Sequence, residues 1–276
     1  MTSFDIVFFN LPGQAYTSWS HRTILNNAFY IDFFDRFLFH LYHKKKIFDD
    51  TFDGFLVGFG NGGFIALSYL TVYEKYCSFI KGCLCFNSFI HNDAYMNRVM
   101  NELYRKAKKE NANEVNDFVR TVFKSDEDIQ SHMNNVMYRD IIRGYRYNIN
   151  ILSDNVKRNQ FGVNEYVRDI IAPIVLVNAI NDTFVNVNNV EKMADISKKE
   201  NVLIIDDVDD YLTHRFKFDS IIRAEKEEKP RRFMIKINTD AHDMINYTNS
   251  TIHIITNIIN NFFNDYIAVN KANKSI

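Results

Sequence analysis

Charge of either sign is missing from this sequence as a net quantity. Its 33 Lys and Arg residues face 34 Asp and Glu, a formal net charge of -1. No overall basic field therefore draws the chain to nucleic acid or to an anionic membrane. Short basic runs such as Lys44-Lys45-Lys46 and Arg231-Arg232 read as solvated surface. An apolar run of the roughly 18 residues that a membrane helix needs is also missing, so we expect no membrane span. Cysteine is scarce: Cys77, Cys83 and Cys85 are the only three. Cys83 and Cys85 alternate along one expected strand, point to the same face and are poorly placed to bridge. An odd, clustered set argues for free thiols in a reducing compartment. No fourth ligand stands at zinc spacing. The opening residues Met1 to Asp5 have no basic n-region, so we expect no secretory signal and a cytoplasmic or other reducing location.

Apolar residues are plentiful, at 46% of the 276 residues, enough to bury a full core and to argue against global disorder. Apolar runs expected as strands fall at Phe4 to Phe9, Phe55 to Gly58, Ile80 to Phe89, Pro173 to Val177 and Val202 to Ile205. Helical spacing fills the intervals. Asn27 to His43 places Tyr30, Phe33, Phe34, Phe37, Leu38 and Leu41 at helical intervals. Asn61 to Tyr76, Val187 to Ser197 and Ser250 to Ile267 read as further helices. Strands of near-continuous apolar residues separated by helices indicate a mostly parallel sheet covered on both faces. We expect one domain over 1–276, with a helical cap insert at about 91–167 and a charged insertion at about 219–245. Within the latter, Arg232 to Ile237 alternates enough to form an added strand.

The turn Gly58-Phe59-Gly60-Asn61-Gly62-Gly63 after Phe55-Leu56-Val57 has the form of a nucleophile elbow, in which a strand–turn–helix of pattern Gly-x-Ser-x-Gly presents a serine. Gly60 stands where that serine would be and has no atom to attack a carbonyl. Gly58-x-Gly60-x-x-Gly63 also fits a dinucleotide-loop pattern. The next strand, however, ends in Asn87-Ser88-Phe89, with no acid for a ribose, so a plain tight turn is the stronger reading. No cofactor is expected.

Two other places carry the rest of a hydrolytic triad. Asp182, in Ala179 to Val185, occupies the position of the acid, although an Asp there also suits a helix cap. After Val202 to Ile205, the usual Gly-Gly-His-Leu pattern falls on Asp209-Asp210-Tyr211-Leu212. Tyr211 thus takes the position of the base, for which a phenol with a pKa near ~10 is poorly suited at neutral pH. His214 lies three residues on. The aspartates of Asp206 to Asp210 could hold a hard cation but match no EF-hand spacing, and a solvated acidic loop is the stronger reading. Degenerate triad positions Gly60, Asp182 and Tyr211 make this a site without catalytic residues. The rival is an active enzyme using Ser88 or Cys85 as nucleophile with His214 as base; Cys83 and His91 are weaker candidates.

The same residues resemble the N-myc downstream-regulated (NDRG) family. Asn10-Leu11-Pro12-Gly13-Gln14 is similar to its Asp-Ala-Pro-Gly-Gln segment. Gly58 to Gly62 is similar to its elbow, which also carries glycine at the nucleophile position. Ile80 to Asn87 resembles its following strand, Tyr138 to Asp154 its cap helix, and Ala172 to Val177 the strand before its acid loop. The resemblance implies an α/β-hydrolase fold without enzymatic activity. If Asp5 to Asn10 is the strand that ends in Pro-Gly-Gln, three earlier strands of that fold are missing. So is the loop supplying half of its oxyanion hole. A second alignment places Phe9 to Trp19 on that loop instead, and ranks below the first.

The expected consequence is unpaired backbone beside Phe55 to Gly58. Three explanations stand open: that the first strand pairs there directly, that a strand from a protein partner fills the gap, or that the N-terminal part is encoded separately. The function expected is therefore a scaffold or structural subunit in a larger assembly. The alternatives are the relocated-nucleophile hydrolase and a small-molecule sensor that keeps a pocket beneath its cap.

Overall fold

The computed structural model describes residues 5–7, 9, 11–12, 26–45, 52–91, 93–108, 114, 117, 169–186, 188–189, 191, 202–206, 215–223, 232–239 and 249–273. Helix α1 (Asn27–His43) begins where the Asn26 side chain accepts a 2.9 Å hydrogen bond from the Phe29 N–H, satisfying one donor that the first turn leaves without a helical partner. Tyr30, Phe34, Leu38 and Leu41 form its buried stripe, at the positions that the helical spacing predicted.

Strand β1 (Gly54–Phe59) runs into helix α2 (Asn61–Tyr73), closed by one turn of 3₁₀-helix at Glu74–Tyr76. Strand β2 (Ile80–Phe86) is followed by α3 (Ala94–Lys108). Then come β3 (Ile174–Ala179), β4 (Val202–Ile205), the short α4 (Asp219–Arg223), β5 (Arg232–Ile237) and α5 (Asn249–Asn273). The five strands form one sheet in the order β1-β2-β3-β5-β4, and every neighbouring pair is parallel.

Alternation along the strands divides the core into two layers. Cys83, Cys85, Ile174, Leu176 and Met234 face α1, α2 and α3, against Leu38, Leu67, Leu70 and Met96. Leu84, Phe86, Val175, Val177, Ile235 and Ile237 face α4 and α5, against Ile221, Ile254, Ile258 and Phe262. Burial on both faces is why the strands read as nearly continuous apolar runs. All six residues of β3 are buried.

Three expectations need correcting. First, Asp5 to Val7 and Phe9 belong to no strand. Phe9 stacks on Phe34 and Phe37 of α1, with ring centroids 5.4 and 4.8 Å apart. Aromatic packing on a helix, in place of strand pairing, covers part of Phe9, and Ile6 and Val7 stay exposed. Second, Arg232–Ile237 is not an addition to the sheet. It is an interior strand inside the segment expected as a charged insertion, paired with β3 on one side and β4 on the other. Its alternation misled because its charged residues are anchored. Arg232 is buried and donates from Nη2 to the Ile170 carbonyl (3.1 Å), and Lys236 pairs with Glu191. Third, the sheet expected to be covered on both faces is not covered at β4, an edge strand with Ile204 exposed. The tract 109–168, with Tyr138 to Asp154 and most of the expected cap insert, holds only Glu114 and Asp117 among the described residues. No helix among the described residues is long and apolar enough to cross a membrane.

Candidate functional site

In open parallel sheets the loops at the carboxyl ends of the strands build the binding site. Here those are the turn after β1 and the segments after β2, β3, β4 and β5. The turn after β1 is a nucleophile elbow in backbone geometry. Gly60 has φ 51° and ψ -117°, a strained conformation essentially reserved for glycine unless function demands otherwise. Its N–H donates to the Phe86 carbonyl (2.9 Å), and its own carbonyl accepts from Phe64 N–H (3.3 Å). The turn is held between strand and helix, and position 60 itself carries no side chain.

Close approach explains the flanking glycines. A Cβ on Gly58 would lie 2.4 Å from the Gly63 nitrogen, and one on Gly63 would lie 1.7 Å from Ser88 Oγ. A Cβ on Gly62 would meet nothing within 4 Å. The pattern is thus maintained by strand-to-helix packing at 58 and 63, independently of any chemistry at 60.

Ser88 is fully buried against Gly63. Cys83 and Cys85 are also fully buried, and their sulfurs are 3.4 Å apart in free thiols. The hydrogen bond with Cys83 and the loss of solvent hold the Cys85 thiol well above its ordinary pKa. A nucleophile needs both access and a lowered pKa. Cys85 has neither, and Ser88 lacks access. His91 is half-buried; its Nδ1 meets no hydrogen-bond partner, while its carbonyl accepts from Asn189 Nδ2 (2.9 Å).

Asp182 follows β3, as the acid of the expected triad would. Its Oδ1 accepts from the N–H groups of Phe184 (2.6 Å) and Val185 (2.8 Å). That is the capping geometry which the sequence left open beside the catalytic one. Tyr95 of α3 closes over this loop, its hydroxyl donating to the Thr183 carbonyl (2.8 Å).

Asparagines tie the loops together. Asn87, at φ 44°, accepts through Oδ1 from the Ala179 N–H (2.8 Å), and asparagine tolerates such a left-handed φ better than most residues. Asn178 Nδ2 donates to the Ser88 carbonyl (3.4 Å). These contacts were not foreseen; the only trace of them in the sequence is asparagine at the ends of strands.

The acid loop also meets the segment leaving β5. Ile180 N–H donates to the Ile237 carbonyl (2.8 Å), and Asn181 N–H donates to the Thr239 carbonyl (3.1 Å). Tyr211 and His214 lie outside the described residues, as does Asp207 to Asp210 of the acidic loop. The strand they follow, β4, is separated from β3 by β5. Among the described residues no group of three or more His, Cys, Asp or Glu is placed to hold a metal ion.

No protein-family model matches the chain, and no curated protein matches it in sequence. The likeness to the NDRG family therefore rests on the motifs alone. Solved structures do match. An α/β-hydrolase enzyme from a Medee basin deep-sea metagenome library superposes with a TM-score of 0.60 at 12% identity, over 89% of this chain and 75% of that one. A thermophilic esterase from Thermogutta terrifontis gives 0.59 at 11% identity, over 93% and 78%. MenH from S. aureus gives 0.60 at 15% identity, over 93% and 82%. A parallel sheet layered by helices, an elbow turn after β1 and these neighbours together establish that the chain has an α/β-hydrolase fold.

Proposed function

We propose that this chain is a non-catalytic α/β-hydrolase-like protein that works by binding, as a scaffold or structural subunit of a larger assembly. The observation that carries the reading is Gly60 itself: the nucleophile's strained backbone is present without a nucleophile. Acid and base cannot act where there is nothing to activate. The buried Ser88 and Cys85 support the same reading against a relocated nucleophile. The glycine elbow of the NDRG family, which the motifs resemble, fits it as well.

We further place the base position of the fold on the segment after Ile237. That segment adjoins the acid loop, and its first histidine in sequence is His242. The strand that precedes Tyr211, β4, is separated from β3 by β5. An Asp182–His242 pair would be what remains of a triad whose nucleophile is gone.

The partner side of the proposal rests on β1. It pairs with β2 on one edge, and among the described residues no strand pairs with the other. Gly60 N–H bonds toward β2, so by alternation the N–H groups of Phe55, Val57 and Phe59 face outward. Val57 is 41% exposed and Phe59 37%. Unpaired backbone beside exposed apolar side chains is the surface that strand addition uses. The experiment is amide exchange on the isolated chain and on the native assembly. The proposal expects the amides of Phe55, Val57 and Phe59 to be protected only in the assembly. Equal exchange in both states would remove strand addition at this edge.

A further inference from the structure

A second concavity lies at the opposite pole from the elbow, beside the amino ends of β1 and β2. Its volume is about 620 Å³, within the range of small-molecule sites. Its walls come from α1 and α2: Asp35, Phe39 and Tyr42 from the first, Tyr69 and Tyr73 from the second, with Tyr76 just beyond. The residues of β1 between the two poles span about 20 Å at ~3.3 Å each, so this concavity is separate from the elbow.

Asp35 is the chemically distinctive group. It is half-buried, and among the described residues no basic group pairs with it. Its neighbour on the helix, Asp32, takes Arg36 (2.9 Å). Asp35 Oδ1 accepts from the Tyr69 hydroxyl (3.3 Å), whose oxygen also lies 2.8 Å from Cys77 Sγ. Tyr69 is wholly buried, and burial pushes its hydroxyl far above the ordinary pKa. It thus remains a proton donor and fixes the carboxylate.

Aromatic rings line the same concavity. Tyr69 and Tyr73 stack with centroids 5.0 Å apart. Burial raises the Tyr73 pKa most, Asp35 and Asp32 raise it further, and Arg36 acts in the opposite direction. Phe39 is 57% exposed and Tyr76 82%. At the mouth, the Lys81 ammonium is engaged by the Ser78 carbonyl and lies 3.9 Å from Asp53. His43 packs its ring against Phe39 and Tyr42 (4.1 and 4.7 Å).

A carboxylate taken partly out of water costs free energy unless a cation or several donors compensate it, and here one tyrosine hydroxyl does so. Aromatic rings in the same walls can add attraction for a cation and none for an anion. We propose that this concavity binds an organic ammonium group, with Asp35 as counter-ion and the rings of Phe39, Tyr42, Tyr73 and Tyr76 as walls. The ammonium comes either from a free amine or from a lysine side chain of a peptide, and the test separates the two.

The purified full chain is titrated by calorimetry and thermal unfolding with choline, with spermidine, and with 3,3-dimethylbutan-1-ol, the uncharged analogue of choline. A lysine-containing peptide and its norleucine counterpart form the peptide arm. The proposal expects an ammonium ligand to bind and raise the unfolding temperature, and its neutral counterpart to bind at least tenfold more weakly. Tight binding of choline or spermidine identifies a free amine as the ligand; preference for the lysine peptide identifies a side chain. Asp35→Asn should weaken ammonium binding tenfold or more. Its unliganded unfolding temperature shows whether the fold survives. Phe39→Ala, a change at an exposed position, should weaken binding severalfold without loss of stability. Equal affinity for charged and neutral ligands, unchanged affinity in both variants, or no binding in any arm at millimolar ligand overturns the proposal.

Discussion

Asn181 donates its backbone N–H to the carbonyl of Thr239 at 3.1 Å, joining the loop that carries Asp182 to the segment that leaves β5. This contact brings the start of that segment beside the loop that carries Asp182. It follows from strand order, since β5 enters between β3 and β4, and chain order alone would have paired the acid loop with the segment after β4.

Asp182 has a structural duty that can be measured apart from any chemistry. Because Oδ1 holds the N–H groups of Phe184 and Val185, Asp182→Ala should cost about 1–2 kcal/mol of stability. Asp182→Asn keeps an acceptor oxygen and should cost less. Urea unfolding midpoints of the two variants check the order. Equal loss in both would mean that the charge, and not the two hydrogen bonds, matters there.

The elbow glycines should respond unequally. Gly58→Ala forces a methyl to within 2.4 Å of Gly63 backbone, and Gly63→Ala forces one to within 1.7 Å of Ser88 Oγ. Each should destabilise by about 1–3 kcal/mol or more, as overpacking does. Gly62 has open space and no positive φ, so Gly62→Ala should be neutral or stabilise by up to about 1 kcal/mol. Thermal unfolding of the three variants reads this directly.

Thiol chemistry gives a third check. Cys77, Cys83 and Cys85 are free and buried, so a thiol reagent should find none of them at native pH and all three in denaturant. Rapid native reaction at one thiol would reopen the reading of a relocated cysteine nucleophile.

Alkaline stability should carry the signature of Tyr30. Burial raises its hydroxyl from 10.0 to about 12, so between these values the unfolded chain has lost a proton that the folded chain keeps. Stability from this group is full below pH 10 and is lost as pH rises through about 12. Tyr30→Phe should flatten that part of the wild-type decline in urea titrations at pH 9 to 11.5. An unchanged slope would show that the hydroxyl is solvated.

The layered architecture was legible because it rests on local pattern. The α1 stripe from Tyr30 to Leu41, the β3 run from Ile174 to Ala179 and the elbow glycines each announce themselves in a few residues. Lateral order was not legible. Arg232 and Lys236 give β5 the appearance of a half-exposed strand, and only tertiary contacts with Ile170 and Glu191 reveal it as interior. The reading of Tyr211 as the base position likewise rests on chain order, and Tyr211 lies outside the described residues. The Phe4 to Phe9 run misled in the other direction, since its apolar residues suit a strand equally well as an aromatic contact with α1. Asn87 and Asn178 were invisible as loop ties because their partners lie about ninety residues away.

On the proposed reading, Gly60 stands where a nucleophile would be in an otherwise formed elbow. The most direct measurement is labelling by a fluorophosphonate probe, with an ester panel, on the wild type, Gly60→Ser, and Gly60→Ser combined with His242→Ala or Tyr211→Phe. The account predicts no labelling and no turnover in the wild type. Gly60→Ser should acquire labelling that His242→Ala abolishes and Tyr211→Phe leaves intact. Stoichiometric labelling of the wild type at a single serine, with ester turnover that disappears when that serine is replaced, would contradict it.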